Sequence, residues 1–397
     1  MTAASGPLGE NGRVGELDAL RGFALLGVFI VHFVGINYWE LPMDDAVREA
    51  WQGSIVYGGA GFMSDFLFYD KANTLFATLF GMGFWVMMTR LKERGADFER
   101  VYLRRLGVLF LIGLINWIFI FPWDVLHDYA IAGLILFLLR NLSVRAMLVT
   151  GLILTIGSAP LANQALSFLA PDVSGEATAT YHGETYFSWI TMNVRDGLQR
   201  DVVDGVYLSW LPYVLGRFLL GAWVIRAGWL EVSPERNVVI GRLCVAGLLI
   251  GLLIELTTTL IVFELIPLPM IIDTFIHAIG GPLLALGYAC GLVLLFRSNR
   301  WNSVARYFSP VGKTALTAYV IHGIVFVLIY YPFAFGLAGI VTPVHSVVIA
   351  LAVFATVQAA ASTWLRRYRF GPLEYLWRWA TYGQRPAFRI VSNTAAA

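Results

Sequence analysis

Long apolar runs, separated by short polar segments, extend along almost the whole chain. An α-helix needs about 20 consecutive, mostly apolar residues to cross a hydrocarbon core of about 30 Å, and most of the runs approach or exceed this length. The pattern therefore predicts an all-α polytopic membrane bundle of about ten transmembrane helices. The predicted spans lie at about 17–38, 72–89, 106–121, 125–139, 146–169, 205–225, 238–264, 271–296, 311–331 and 344–365.

The same pattern divides the chain into three regions. Residues 1–15 are small, polar and rich in Gly, and we expect them to form a disordered tail. Residues 16–365 hold the predicted spans, with the longest polar segment, 170–203, as an outer loop. Residues 366–397 are basic and aromatic and then small, which predicts an amphipathic helix on the membrane surface followed by a short tail.

Composition and charge distribution define the orientation of the bundle. The chain of 397 residues is 58% hydrophobic and only 14% charged, whereas soluble domains carry about 25% charged residues. Ten spans place both termini on one side, and most of the 28 Lys and Arg residues then fall on that side. The positive-inside rule makes this side the cytoplasm. Because topology accounts for the basic residues, nothing supports binding to nucleic acid.

The first predicted span carries an arginine near its start and a histidine deep inside it. Three helical turns make about 10.8 residues, so Arg21 and His32 are predicted to lie on one face, about 16 Å apart along the axis. The Arg21 guanidinium suits phosphate groups, and an ion pair with Asp18 explains it equally well. His32 is either a hydrogen-bonded packing residue or a general base, since imidazole titrates near neutral pH.

Other ionisable side chains lie inside later predicted spans. His322 lies deep in the ninth span, and His277 follows the start of the eighth. Arg217 and Glu255 are single charges on the sixth and seventh spans, and we expect them to neutralise each other. In a transporter, these four side chains would line a path for a substrate or a proton.

Two further candidates lie at the predicted outer edge. Asp124 and His127, beside Asp128, open the fourth span, where such residues also serve as helix caps and dipole partners. Lys71 opens the second span, and it either extends towards the lipid headgroups, the favoured interpretation, or binds an acceptor. We assign Lys71, Asp124 and His127 as candidate substrate-binding residues and predict no metal site. The sequence contains no phosphate-binding loop and no zinc-ligand spacing.

Five segments resemble the YeiB-like family of bacterial inner-membrane proteins, and the resemblance covers nearly the whole chain. It implies a multi-pass protein of the bacterial cytoplasmic membrane, in contact with membrane lipids. The segments are LDALRGFALLG in the first span, KANTLFATLFGMGF at 71–84, WDVLHDYAIAGLILF at 123–137, VGKTALTAYVIHG at 311–323 and WLRRYRFGPLEYLWRWATYG at 364–383.

The first span also resembles that of bacterial transmembrane acyltransferases that O-acylate cell-surface sugars. Arg21 and His32 fall on the arginine and histidine of that pattern. The resemblance implies an acyltransferase in which Arg21 binds the phosphates of a cytoplasmic acyl-CoA-type donor. His32 would take the proton of a small-molecule or glycan acceptor at the outer face, and His322 would line the same cavity.

Two other function classes stay open at this point. One is a transporter or exporter of a small molecule, without covalent chemistry. The other is a structural or partner-binding membrane subunit. Neither the acceptor nor the acyl chain is defined by the sequence.

Overall fold

The computed structural model describes residues 15–41, 43–169, 185–298 and 302–390. The predicted N-terminal tail lies outside these residues except for Gly15, as do residues 170–184 of the predicted outer loop and residues 391–397 of the C-tail. The described helices are α1 (Gly15–Ile30), α2 (Asp45–Gln52), α3 (Ile55–Leu67), α4 (Lys71–Glu93), α5 (Phe98–Phe119), α6 (Leu126–Leu138), α7 (Val144–Leu169), α8 (Tyr186–Leu198), α9 (Val206–Arg226), α10 (Pro234–Val262), α11 (Met270–Arg297), α12 (Asn302–Lys313), α13 (Ala315–Tyr330), α14 (Pro343–Trp364) and α15 (Pro372–Tyr382).

The helices reproduce the predicted apolar segments. Within the described residues, seven helical segments are long and apolar enough to cross a membrane, and α12 with α13, bent by 76°, makes eight if the pair is one span. The remaining predicted spans coincide with two shorter apolar helices, α6 and the first part of α7. The prediction of an all-helical multi-pass protein is therefore confirmed. The number of about ten spans and the cytoplasmic termini stay predictions.

The first span changes its helical form midway. α1 continues without a break into a π-helical segment, Val31–Glu40, so that His32 is its second residue. Long π-helical stretches are rare, and short π-bulges are frequent at functional sites. The change of form therefore marks the environment of His32 as unusual within an otherwise regular helix.

Glycines allow the central helices to approach closely. Gly22 of α1 faces the Phe308 carbonyl of α12, and Gly312 of α12 faces the Asp18 carbonyl of α1. A Cβ at either position would collide with the opposing backbone. Such close approach between small residues is the main way that helices associate within a membrane. It brings the start of α1 beside the end of α12, where Lys313 lies.

The C-terminal helix docks onto the bundle. The indole Nε1 of Trp377 in α15 donates to the Arg105 carbonyl of α5 at 2.9 Å. The Glu374 carboxylate accepts hydrogen bonds from the backbone N–H groups of Leu316, at 2.7 Å, and Thr317, at 3.1 Å. These are among the first N–H groups of α13, which have no partner inside their own helix. Glu374 thus caps α13 at its bend with α12.

Candidate functional site

A cavity of about 260 Å³ lies between α1, α4, α5, α6, α12, α13 and α15. On α4 its lining includes Phe76, Phe80, Gly83, Met87 and Arg90. These positions recur at intervals of three and four residues, which is the spacing of one helix face. The cavity therefore runs along a single face of α4, from Arg90 near the end of the helix towards Phe76 near its start.

Basic side chains gather at the Arg90 end of the cavity. Asp18 and Glu374 also line the cavity. Arg21 Nη1 lies 2.7 Å from Asp18 Oδ1, so the predicted ion pair is confirmed. Five cationic side chains, all half-buried, line this end together with these two carboxylates, so positive charge is in excess. We name this end the basic mouth, and it is formed by Arg21, Arg90, Arg105, Lys313 and Arg378.

The Glu374 carboxylate at the basic mouth is directed towards the start of α13. Its carboxylate is already bound by N–H groups of α13 and by the Thr317 hydroxyl at 2.6 Å. Burial raises the pKa of the Glu374 carboxyl, and the hydrogen bonds from Thr317 offset part of that rise. The local balance of charge therefore favours an anionic ligand at this end.

The opposite, deep end of the cavity is mainly apolar and aromatic. Leu126, Tyr129 and Tyr319 line it together with Phe76. The Tyr319 hydroxyl accepts a hydrogen bond from the Val125 N–H at 3.3 Å. Sequence reasoning did not select the two tyrosines, because an aromatic residue inside an apolar helix looks the same whether it faces a cavity, a neighbouring helix or lipid.

His32 and His322 lie side by side behind Tyr319. His32 Nδ1 is 2.6 Å from His322 Nε2, and His322 Nδ1 hydrogen-bonds to the Tyr319 carbonyl oxygen. A carbonyl only accepts, so His322 carries its proton on Nδ1 and accepts from His32 at Nε2. A neutral His32 that donates from Nδ1 has its lone pair on Nε2. This chain of hydrogen bonds therefore presents one basic nitrogen, on His32.

The histidine pair does not line the cavity that Arg21 lines. Arg21 lines the cavity, whereas His32 and His322 do not belong to its lining. Tyr319 does line it, and its ring centroid lies 6.5 Å from that of His32 and 4.9 Å from that of His322. Tyr319 is therefore the common wall between the cavity and the two histidines.

Asp124 and His127 form a buried cluster at the start of α6. Asp124 Oδ2 accepts from the Leu126 N–H at 2.9 Å and lies 3.0 Å from His127 Nδ1. His127 Nε2 lies 3.1 Å from the Tyr207 hydroxyl. Leu126 lines the cavity, so the cluster lies directly behind its deep end. In the part of the chain that the structure describes, no group of three or more His, Cys, Asp or Glu side chains is arranged to hold a metal ion.

Lys71 does not extend towards the headgroups, so the favoured interpretation is wrong. Its side chain is 1% exposed and pairs with Glu255 of α10. Arg217 pairs with Asp70, its Nη2 lying 2.8 Å from Oδ2, so the expected Arg217–Glu255 pair is also wrong. As a candidate residue for binding the acceptor, Lys71 offers an ammonium group that is fully buried and already paired with Glu255. Sequence could not reveal these pairs, because it does not show which helices are neighbours.

His277 joins the two ion pairs. Its Nδ1 lies 3.2 Å from Glu255 Oε1, and its Nε2 lies 4.0 Å from Asp70 Oδ2. Asp70, just before α4, has a φ of 65°, a left-handed conformation that is uncommon outside glycine. We name the set the buried charge network, and its members are Asp70, Lys71, Arg217, Glu255 and His277.

Comparisons with known proteins match the chain over nearly its whole length. The YxaH protein of Bacillus subtilis (strain 168) is 30% identical over 95% of this chain and 96% of its own. The YeiB protein of Escherichia coli (strain K12) is 27% identical over 96% of this chain and 98% of its own. A 39.9 kDa protein encoded in the amylase 3′ region of Bacillus acidopullulyticus is 25% identical over 96% of both chains.

Two family models match different parts of the chain. Residues 224–384 match a model described as a protein of unknown function (DUF418). Residues 13–247, more than half of the chain, match the catalytic model of heparan-alpha-glucosaminide N-acetyltransferase. The second match contains the first span, with Arg21 and His32, as well as Asp124 and His127, whereas His322 falls within the first match.

Proposed function

Since this chain belongs to the YeiB-like family of multi-pass membrane proteins and its residues 13–247 match a catalytic acetyltransferase family, we propose that it is a membrane-embedded acyltransferase. It moves an acyl group from a cytoplasmic acyl-CoA-type donor to a small-molecule or glycan acceptor at the outer face. In the proposed orientation, about ten spans place both termini and the basic mouth in the cytoplasm. The membrane is then the bacterial cytoplasmic membrane.

The observation that carries the proposal is the polarity of the cavity. Its basic mouth contains Arg21 and offers several guanidinium groups, which bind phosphates through paired, charge-assisted hydrogen bonds. Its deep end is apolar and aromatic, as a thioester and its acyl chain require. A ligand with a phosphorylated head and an uncharged arm matches both ends at once, which supports a CoA-type donor.

The proposed general base is His32, held by His322. The acceptor hydroxyl or amine attacks the thioester carbonyl, forming the new ester or amide bond while the carbon–sulfur bond breaks. The acceptor proton passes to His32 Nε2, and the departing CoA thiolate takes up a proton. Tyr319 separates the cavity from the histidines, so its side chain must move aside for the reaction. In this scheme Asp124 and His127 contact the acceptor behind the deep end.

The test is acyl transfer by the purified protein in proteoliposomes, followed as thiol release from an acyl-CoA. We expect His32→Ala to lower turnover about 10²–10⁴-fold, the usual contribution of a positioned general base. His345→Ala is the matched control, since this histidine is exposed at the start of α14 and hydrogen-bonds to its own helix cap, Thr342. Unchanged turnover in His32→Ala would remove the catalytic assignment.

The buried charge network favours a second candidate function, proton-coupled transport. It contains Arg217, Glu255 and His277, three of the four residues predicted for such a path, and His277 is 24% exposed. Ionisable groups within a membrane often belong to proton relays. Uptake or release of a solute driven by a pH gradient, without any acylated product, would support transport and exclude the acyltransferase.

A further inference from the structure

One polar residue continues the cavity-lining face of α4 beyond the deep end. Counting back from Phe76 by three residues leads to Asn73, one turn closer to the start of the helix. The spacing of three and four residues that runs from Arg90 to Phe76 is thereby extended by one step. Asn73 is not itself part of the lining, but it lies on the same face of α4, one turn beyond the deep end.

The side chain of Asn73 is held by a residue of the cavity. Tyr129, which lines the deep end, donates its hydroxyl hydrogen to Asn73 Oδ1 at 2.7 Å. Tyr129 is itself 1% exposed, and its ring packs against Phe80 and Phe218. With Oδ1 engaged, the amide group has Nδ2 left to donate. The Nδ2 atom is buried, and no described residue accepts a hydrogen bond from it.

Buried donors in native structures nearly always have a hydrogen-bond partner, and a bound ligand can supply the missing acceptor atom. The deep end of the cavity is where the proposed function places the thioester. A thioester carbonyl is an acceptor, and its oxygen becomes negatively charged when the acceptor attacks. Preorganised donors aimed at such an oxygen are among the strongest contributors to catalysis in acyl transfer.

We propose that Asn73 Nδ2 donates a hydrogen bond to the acyl carbonyl oxygen of the donor and stabilises the oxyanion of the transition state. This inference rests on the proposed function. Asn73 is then a catalytic residue, because it contacts the reacting atoms. Tyr129 is a positioning residue, because it acts by fixing the orientation of the Asn73 amide.

The experiment compares turnover with binding. Asn73→Leu keeps a similar size and removes the donor, and we expect kcat to fall about 10²–10³-fold, the loss typical of one oxyanion donor. Binding of CoA itself, which has no acyl carbonyl, is expected to stay unchanged. Tyr129→Phe is expected to lower kcat less, with an unchanged KM, because the amide donor remains but is no longer fixed.

The matched control is Thr74→Val. Thr74 is the next residue on α4, and its hydroxyl is also buried without a hydrogen-bond partner among the described residues. One residue turns the helix by about 100°, so Thr74 points away from the face that lines the cavity. We expect its kcat to equal that of the wild type. CoA binding also serves as the check of folding, and Asn73→Asp provides a second, polar variant without the donor.

The outcomes separate the two hypotheses. Acyl transfer by the wild type with an undiminished kcat in both Asn73 variants overturns the role of Asn73 and leaves the proposed function in place. A loss confined to CoA affinity also overturns it, since an oxyanion donor acts on kcat. Absence of transfer by the wild type with every acyl-CoA overturns the proposed function itself.

Discussion

The basic mouth and the buried charge network are both clusters of ionisable groups in an otherwise apolar protein, and they differ in balance and burial. In the network, Lys71 and Arg217 face Glu255 and Asp70, and the side chains of all four are at most 8% exposed. In the mouth, the cations outnumber the carboxylates and are half-buried. Fully buried charges must be neutralised within the protein, whereas half-exposed charges tolerate an imbalance that a ligand then corrects.

This difference assigns ligand binding to the mouth and stability to the network. The network has its counter-ions built in, and it ties α4 to α9, α10 and α11. Among the described residues that line the mouth, five cations stand against two carboxylates. Substitutions should therefore change stability in the network and affinity in the mouth.

The largest expected effect is on the network. Lys71→Met leaves the buried Glu255 carboxylate without its ammonium partner, which should lower the free energy of unfolding by about 3–5 kcal/mol. The double variant Lys71→Met/Glu255→Met removes both charges and should recover most of that loss, since an apolar pair fits a buried site. Denaturant unfolding in detergent measures both. A single variant as stable as the wild type would contradict a structural network.

The next effect concerns the mouth. Arg21→Gln should weaken CoA binding about tenfold, because a charge-assisted hydrogen bond is worth roughly 1.5 kcal/mol or more. Loss of the pair with the buried Asp18 should also lower the free energy of unfolding, but by less than Lys71→Met does, because Arg21 is partly exposed. Equilibrium CoA binding at two salt concentrations measures the first quantity. Arg94→Gln, an exposed position on the same predicted side and outside the cavity, is the control. Equal affinities in the two variants would contradict a phosphate site at Arg21.

The smallest expected effect is the pH dependence of stability that comes from Glu374, which lines the cavity and caps α13. Its pKa is raised by burial, so the folded protein binds this proton more readily than the unfolded chain. The contribution of Glu374 to stability is therefore full below the ordinary Glu pKa of about 4.3 and declines as pH rises through the raised value. Unfolding of the wild type and Glu374→Gln across this range measures it. A wild type that gains stability over the variant as pH rises would reverse the sign.

Local features of the site were predictable from the sequence. The Asp18–Arg21 pair follows from a spacing of three residues on one helix, and the apolar runs locate the helices. The spacing of Arg21 and His32 predicts one shared helix face, yet only Arg21 lines the cavity, and Tyr319 stands between the cavity and the histidine. The sequence contains no information about this wall, since Tyr319 comes from a helix far along the chain.

The apolar runs are enough to identify an all-helical membrane protein, because an apolar run of sufficient length has few stable alternatives in lipid. In contrast, the contact of His32 with His322, the pairing of Lys71 with Glu255 and the assembly of the basic mouth from five helices depend on how the helices pack. The physical reason is that apolar helix faces are nearly equivalent to each other and to lipid. Close packing at small residues such as Gly22 and Gly312 then selects the neighbours, and the neighbours select which charges meet.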